Sequence, residues 1–171
     1  MLQKSLAFVF LLIAPALLHA QISAESHYPE SLRGLNGVRL VVRFSRAEAL
    51  EKDQQPIVLK LLQSDAENKL TKAGIPILKT AEDLNHAPGS PELYVTVTLD
   101  KPNGHVFPVV SETRLLQRMR LSRDSSKEFL VLTWMTHGIG VYPLTDLDQM
   151  RSQVGAEIDQ FIKAYLIANL N

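Results

Sequence analysis

The chemistry that this sequence offers most clearly is anion binding by a row of arginines. Arg114, Arg118 and Arg120 recur at even spacing between apolar residues, so their side chains share one face if the segment is a regular strand. Guanidinium groups can bind a carboxylate, a sulfated glycan or an acidic partner strand. The same spacing fits a solvated face whose arginines pair with Glu112 and Glu128 and discourage edge-to-edge aggregation. The residues alone leave both interpretations open.

Two other segments add polar side chains to the same predicted face. In VRLVVRF, Arg39 and Arg43 alternate with apolar residues, and in ELYVTVTLD, Tyr94 alternates with valines and leucines. If these strands are neighbours, they form an exposed polar surface. The candidate residues for ligand or partner binding are therefore Arg39, Arg43, Tyr94, Arg114, Arg118 and Arg120.

The familiar catalytic and metal-binding motifs do not occur in the chain. The sequence lacks GxSxG, SxxK, HExxH and the glycine-rich phosphate loops. After a predicted leader, the histidines His27, His86, His105 and His137 lie far apart and show no metal-ligand spacing. We therefore assign no catalytic residue, no metal ligand and no cofactor. A hydrolase whose site is assembled from His137 and dispersed Asp and Ser residues is the alternative hypothesis.

The segment FLVLTWMTHGIGVYP raises two local questions. Its HGIG stretch, from His137 to Gly140, faintly resembles a glycine-rich oxyanion loop, but standing alone it predicts a bulge or bend in a strand. Trp134 could stack on a sugar, although its place inside an apolar run favours core packing. Because both faces of the segment are apolar, we expect it in the sheet interior, or under both helix and arm.

The first 20 residues predict export. Lys4 precedes an apolar run of roughly 13 residues, which is shorter than the ~20 needed to span a bilayer, and Ala20 follows at a plausible cleavage point, with Ala24 as the second choice. The sequence contains no cysteine, which excludes a lipid-bearing thiol and any disulfide. These features predict a bacterial periplasmic or secreted protein with no stable membrane insertion after cleavage.

The charge balance limits the class of partner. Lysine plus arginine and aspartate plus glutamate each total 18, so the chain without Lys4 has a net charge of about −1. Such a chain has no long-range field for nucleic acid. The predicted partner is an envelope protein or an anionic ligand, and the sequence does not predict an oligomeric state.

The periodicities predict one α+β domain over residues 38–171, preceded by an arm over 21–37 and the signal peptide over 1–20. The element order is β-α-β-β-β-β-α, a two-layer sandwich in which two helices cover one face of a mainly antiparallel sheet of about five strands. The second face is expected to be open or partly covered by the arm. The predicted strands are 38–44, 75–80, 92–100, 106–123 and 129–143, and the predicted helices are 56–73 and 144–171.

The phrases LRGLNGVRLVVRF, NKLTKAGIPIL, ELYVTVTL and DQFIKAYLIANL resemble uncharacterised bacterial exported proteins. Their arrangement is similar to periplasmic α/β domains of unknown function and to the amino-terminal domain of TolB. The resemblance covers about residues 32–170 and implies a periplasmic fold used for contacts with other envelope components. It implies no catalytic residue, because its motifs are structural.

Overall fold

The computed structural model describes residues 29–143 and 145–169. The predicted leader, its cleavage point, the first part of the arm and His27 lie outside those residues. The described ranges contain the strands β1 (Arg39–Ala47), β2 (Glu92–Leu99), β3 (Val106–Leu121) and β4 (Asp124–Pro143), and the helices α1 (Gln54–Lys72), α2 (Ala81–His86) and α3 (Leu147–Asn169).

The four strands form one mixed sheet in the order β1-β2-β3-β4. β1 pairs in parallel with β2, and the other pairs are antiparallel. One of the five predicted strands, 75–80, is wrong. It forms a single bridge, in which Val38 N donates to Pro76 O at 3.0 Å and Leu78 N donates to Val38 O at 2.9 Å. Pro76 has no N–H to extend that ladder.

The two long helices pack on the same face of the sheet, as predicted. Each helix has its apolar residues along one side, which is the side that packs on a sheet. Pro56 lies in the first turn of α1, and Gly74, with φ of +75°, follows the helix in the left-handed conformation that glycine favours. The buried side chains of α1 and α3 join those of the sheet in one core. From the helices these include Val58, Leu62, Ala66, Leu70, Met150, Val154, Ile158 and Phe161, and from the sheet Leu93, Val95, Val97, Leu99, Val109 and Leu115.

The position of β4 corrects one prediction and confirms another. Trp134 is 6% exposed and meets the Phe161 ring edge-on, with centroids 5.3 Å apart, so the core interpretation of the tryptophan is confirmed. The segment is not interior, however, because β4 is an edge strand. The hairpin of β3 and β4 extends past the helices. For this reason Phe129, on the helix side, is exposed, whereas Leu130 and Leu132 are exposed because they lie on the opposite face.

The predicted bulge at His137–Gly140 is also wrong. Gly138 and Gly140 pair in regular register with Ser111 and Val109, and the bulge lies instead at Thr133. The glycines are needed for space. A Cβ at Gly138 would lie 2.9 Å from side-chain atoms of two polar residues of α3.

The described part of the arm packs on the helix side, so of the two arrangements expected for the second face, cover by the arm is wrong for these residues. A 3₁₀ turn at Pro29–Leu32 lies against α3 and β4. Ser31 Oγ donates to Thr133 O at 2.8 Å, and Tyr165 Oη donates to Leu35 O at 2.7 Å. None of the helices in the described ranges is both long and apolar enough to cross a membrane.

Candidate binding face

The strand register places the six predicted residues on one face of the sheet. Arg39 is in register with Glu92, and Val41, Tyr94 and Arg114 are in register with one another. We call this surface, opposite α1 and α3, the open face. It carries Arg39, Arg43, Tyr94, Arg114, Arg118 and Arg120.

Arg39 and Tyr94 converge on a buried carboxylate. Arg39 Nη2 donates to Glu92 Oε2 at 2.7 Å, and Tyr94 Oη donates to the same oxygen at 2.9 Å. Glu92 is 8% exposed, and Arg39 and Tyr94 supply the hydrogen-bond donors that this buried side chain requires. The hydrogen bond to Glu92 raises the pKa of the Tyr94 phenol. Tyr94 therefore acts here as a donor that holds Glu92 in place.

Arg43 is held without a carboxylate. Its guanidinium carbon lies 5.1 Å from the centre of the Tyr94 ring, and its Nε donates to Thr96 Oγ1 at 3.4 Å. Within the described ranges no acidic side chain pairs with it. Its positive charge is therefore the least compensated on this part of the open face.

The arginines of β3 form two separate groups. Arg114 lies 3.5 Å from Glu112, whereas Arg118 and Arg120 share Glu128 across the hairpin. Arg114 and Arg118 are about 13 Å apart along the strand. The six residues thus share a face but do not form one cluster.

The pairing expected of a solvated face is present, and it leaves the arginines available. Ion pairs as exposed as Arg120 with Glu128 contribute no more than about 1 kcal/mol each, so a ligand can displace them at little cost. The Nε atoms of Arg39 and Arg114 are buried and donate to no partner in the described residues.

The open face also carries exposed apolar side chains, which the sequence analysis missed. Leu130 and Leu132 are 53% and 44% exposed near the hairpin end, and Ile139 and Val141 are 54% and 62% exposed at the other end of β4. Their register partners are Arg118, Leu116, Val110 and Pro108 of the open face. Apolar side chains at both ends of a charged sheet face are typical of a protein contact surface.

The structure does not assemble the residues of the hydrolase alternative. His137 lies on the open face in register with Glu112, whereas the neighbouring Ser111 points to the helix face. In the part of the chain that the structure describes, no three His, Asp or Glu side chains are placed to share a metal ion.

The solved structures to which the chain is similar include three at low identity. Two are of the PelC dodecamer from Paraburkholderia phytofirmans. The first has 16% identity and a TM-score of 0.46, and the match covers 84% of this chain and 96% of PelC. The second has 15% identity and a TM-score of 0.45, and the match covers 81% of this chain and 95% of PelC. The third is rare lipoprotein B from Shewanella oneidensis, with 12% identity and a TM-score of 0.29. The match covers 76% of this chain and 92% of rare lipoprotein B. No family model and no curated protein matches the chain. These similarities assign no family, and the TolB-like arrangement stays a prediction.

Between α3 and the sheet lies a buried polar network that the sequence analysis also missed. Tyr142 Oη donates to Gln153 Oε1, Gln153 Nε2 donates to Ser111 Oγ at 2.6 Å, and Ser111 Oγ donates to Glu157 Oε1. Thr113 Oγ1 donates to Glu157 Oε2 at 3.2 Å. Burial raises the pKa of Glu157 to about 7. The hydrogen bonds from the Ser111 and Thr113 hydroxyls lower this pKa, but their effect is smaller than that of burial.

One sequence signal could have located this network. Glu157 falls within the apolar stripe of α3, three residues after Val154 and four before Phe161. A carboxylate at such a position must find polar partners on the sheet. The serine and threonine of β3 that alternate into the helix face, Ser111 and Thr113, are those partners.

Proposed function

We propose that the chain is an exported interaction module of the bacterial envelope, which contacts a partner protein with its open face. Export rests on the leader, and we expect the mature protein to begin at Gln21. An intact mass measured on the protein from the periplasm or the medium checks this, and a mass that includes the leader would contradict it.

One observation carries the proposed contact surface. The face that no helix of the described residues covers combines guanidinium groups with exposed leucines, isoleucine and valine. A surface with arginines and apolar anchors is suited to a protein partner, because apolar burial supplies affinity and charge complementarity supplies specificity.

The proposal is tested by partner capture with two double variants of the tagged mature protein. Arg118→Gln with Arg120→Gln removes charge, and Leu130→Ser with Leu132→Ser removes apolar contact. We expect each pair to lower the yield of the co-purified partner from envelope extracts by about tenfold or more. We also expect each to change the free energy of unfolding by no more than about 1 kcal/mol, because these side chains are exposed.

Matched control variants lie away from the open face. Arg33→Gln removes an exposed arginine that is 3.5 Å from Glu30, and Ile57→Ser removes an apolar side chain that is 62% exposed on α1. Both should capture the partner as the unaltered protein does. Equal capture by all four variants would contradict the proposed contact surface.

A further inference from the structure

A small open cavity lies where the loop between α2 and β2 meets the β3–β4 hairpin. We call it the Ser90 pocket, and its volume is about 480 Å³. Arg118 N donates to Gly89 O at 2.6 Å, so the loop is anchored on β3 by a backbone hydrogen bond. The pocket is lined by Asn85, Ala87, Gly89, Ser90, Arg118, Arg120 and Glu128.

Ser90 has a strained backbone in this pocket. Its φ is +44°, and it is the one non-glycine residue with positive φ among the residues that the structure describes. Ser90 N donates to Ala87 O at 2.9 Å, which holds the turn. Its side-chain hydroxyl has no hydrogen-bond partner in the described part of the chain and lines the pocket. A strained residue with a free hydroxyl is typical of a ligand contact.

The charges of the pocket are unbalanced. Arg120 donates to Glu128 Oε1 from Nε at 2.9 Å and from Nη2 at 2.7 Å. Arg118 Nη1 is 4.0 Å from Glu128 Oε2, beyond hydrogen-bond distance. Two guanidinium groups therefore share one carboxylate. The pocket keeps one positive charge in excess, and most donors of Arg118 are free for another anion.

We propose that the Ser90 pocket binds an oxyanion group, a phosphate, sulfate or carboxylate, through Arg118, Arg120 and the Ser90 hydroxyl. This site rests on the proposed function, because it forms one corner of the open face. The planar guanidinium forks match the paired oxygens of such groups, and the hydroxyl donates a further hydrogen bond. The volume lies within the range of small-molecule sites, so the oxyanion is one end of a larger molecule.

The test is an NMR titration of the mature protein with sodium phosphate, sodium sulfate and sodium acetate at constant ionic strength. We expect shifts of the backbone amides of Gly89, Ser90 and Arg118 by at least one of the three anions. The tightest of the three identifies the source as a phosphate, sulfate or carboxylate group. Because Glu128 competes for the same guanidinium groups, Glu128→Gln should tighten binding about fivefold.

Three further variants separate binding from structure. Arg118→Gln should abolish the shifts, and Ser90→Gly, which removes the hydroxyl but tolerates the positive φ, should weaken binding several-fold without loss of folding. Arg33→Gln is the matched control, because Arg33 is an exposed arginine away from the open face and outside the pocket, and it should leave the titration unchanged.

The pocket and the proposed function fail in different ways. If none of the three anions shifts the pocket amides of either the unaltered protein or Glu128→Gln, the Ser90 pocket is wrong even where partner capture is normal. If the anions bind as expected while the open-face variants all keep their partner, the pocket stands and the interaction module is wrong.

Discussion

Glu157→Gln is expected to make the protein more stable above pH 7 and to remove most of its stability change between pH 5 and 7.5. Glu157 is 3% exposed and has no cationic partner among the described residues, and burial raises its pKa from 4.5 to about 7. Between these two values the folded state keeps a proton that the unfolded state has released. The free energy of unfolding therefore falls as pH rises through this window and is constant above it.

The size of the effect follows from the two pKa values. Their difference corresponds to about 3 kcal/mol of stability that is present at pH 4.5 and lost at pH 8. Glutamine is neutral at both pH 4.5 and pH 8. Its side-chain amide can accept a hydrogen bond from Ser111 and donate one to Thr113, so it preserves the buried network. Urea unfolding at a series of pH values measures the difference between the variant and the unaltered protein.

The expected difference is small near pH 5 and rises to about 3 kcal/mol in favour of the variant at pH 8. Glu82→Gln on α2, whose side chain is exposed, is the control for the loss of a carboxylate, and its difference should not follow this course. A Glu157→Gln difference that is constant from pH 5 to 8 would show that Glu157 is ionised in the folded state throughout.

Gly138→Ala is expected to destabilise the protein by about 2 kcal/mol, although alanine suits a strand better than glycine does. An added Cβ would lie 2.9 Å from Gln153 Nε2 and from Glu157 Oε1. Both side chains are fixed by hydrogen bonds in the buried network, so they cannot move away without losing a partner. Urea unfolding measures the change in free energy.

A double-mutant cycle with Gln153→Ala tests the cause. Removal of the glutamine side chain relieves one of the two contacts at 2.9 Å, so the two substitutions together should cost less than the sum of their separate costs. Strict additivity would mean that the close approach of Gln153 is not the cause of the cost.

Strand alternation was sufficient to predict which face carries the arginines. The side chains of a strand point alternately to opposite faces, so the even positions of β3 and the odd positions of β1 needed only a correct pairing to share a face. The stripes of α1 and α3 placed the helices on the other face in the same way. The distribution of the arginines over separate groups depends on register, which the sequence did not provide.

The position of β4 could not be predicted from its apolar pattern. A strand that is apolar on both faces is normally interior, yet Phe129, Leu130 and Leu132 are exposed at an edge. Local sequence cannot tell burial in the folded chain from burial against a partner. The need for glycine at position 138 could not be predicted from local sequence either. The side chains that exclude a methyl group there come from α3, which follows β4 in the chain.

Photo-crosslinking in cells tests the central claim most directly, which is that the open face contacts the partner. A photoreactive amino acid replaces Tyr94, at the centre of the open face, or Ile57, which is 62% exposed on α1. We expect a crosslinked species from position 94 and none from position 57. The species from position 94 should be lost when the same chain also carries Arg118→Gln, Arg120→Gln, Leu130→Ser and Leu132→Ser. Crosslinks that form from position 57 and not from position 94 would contradict the account.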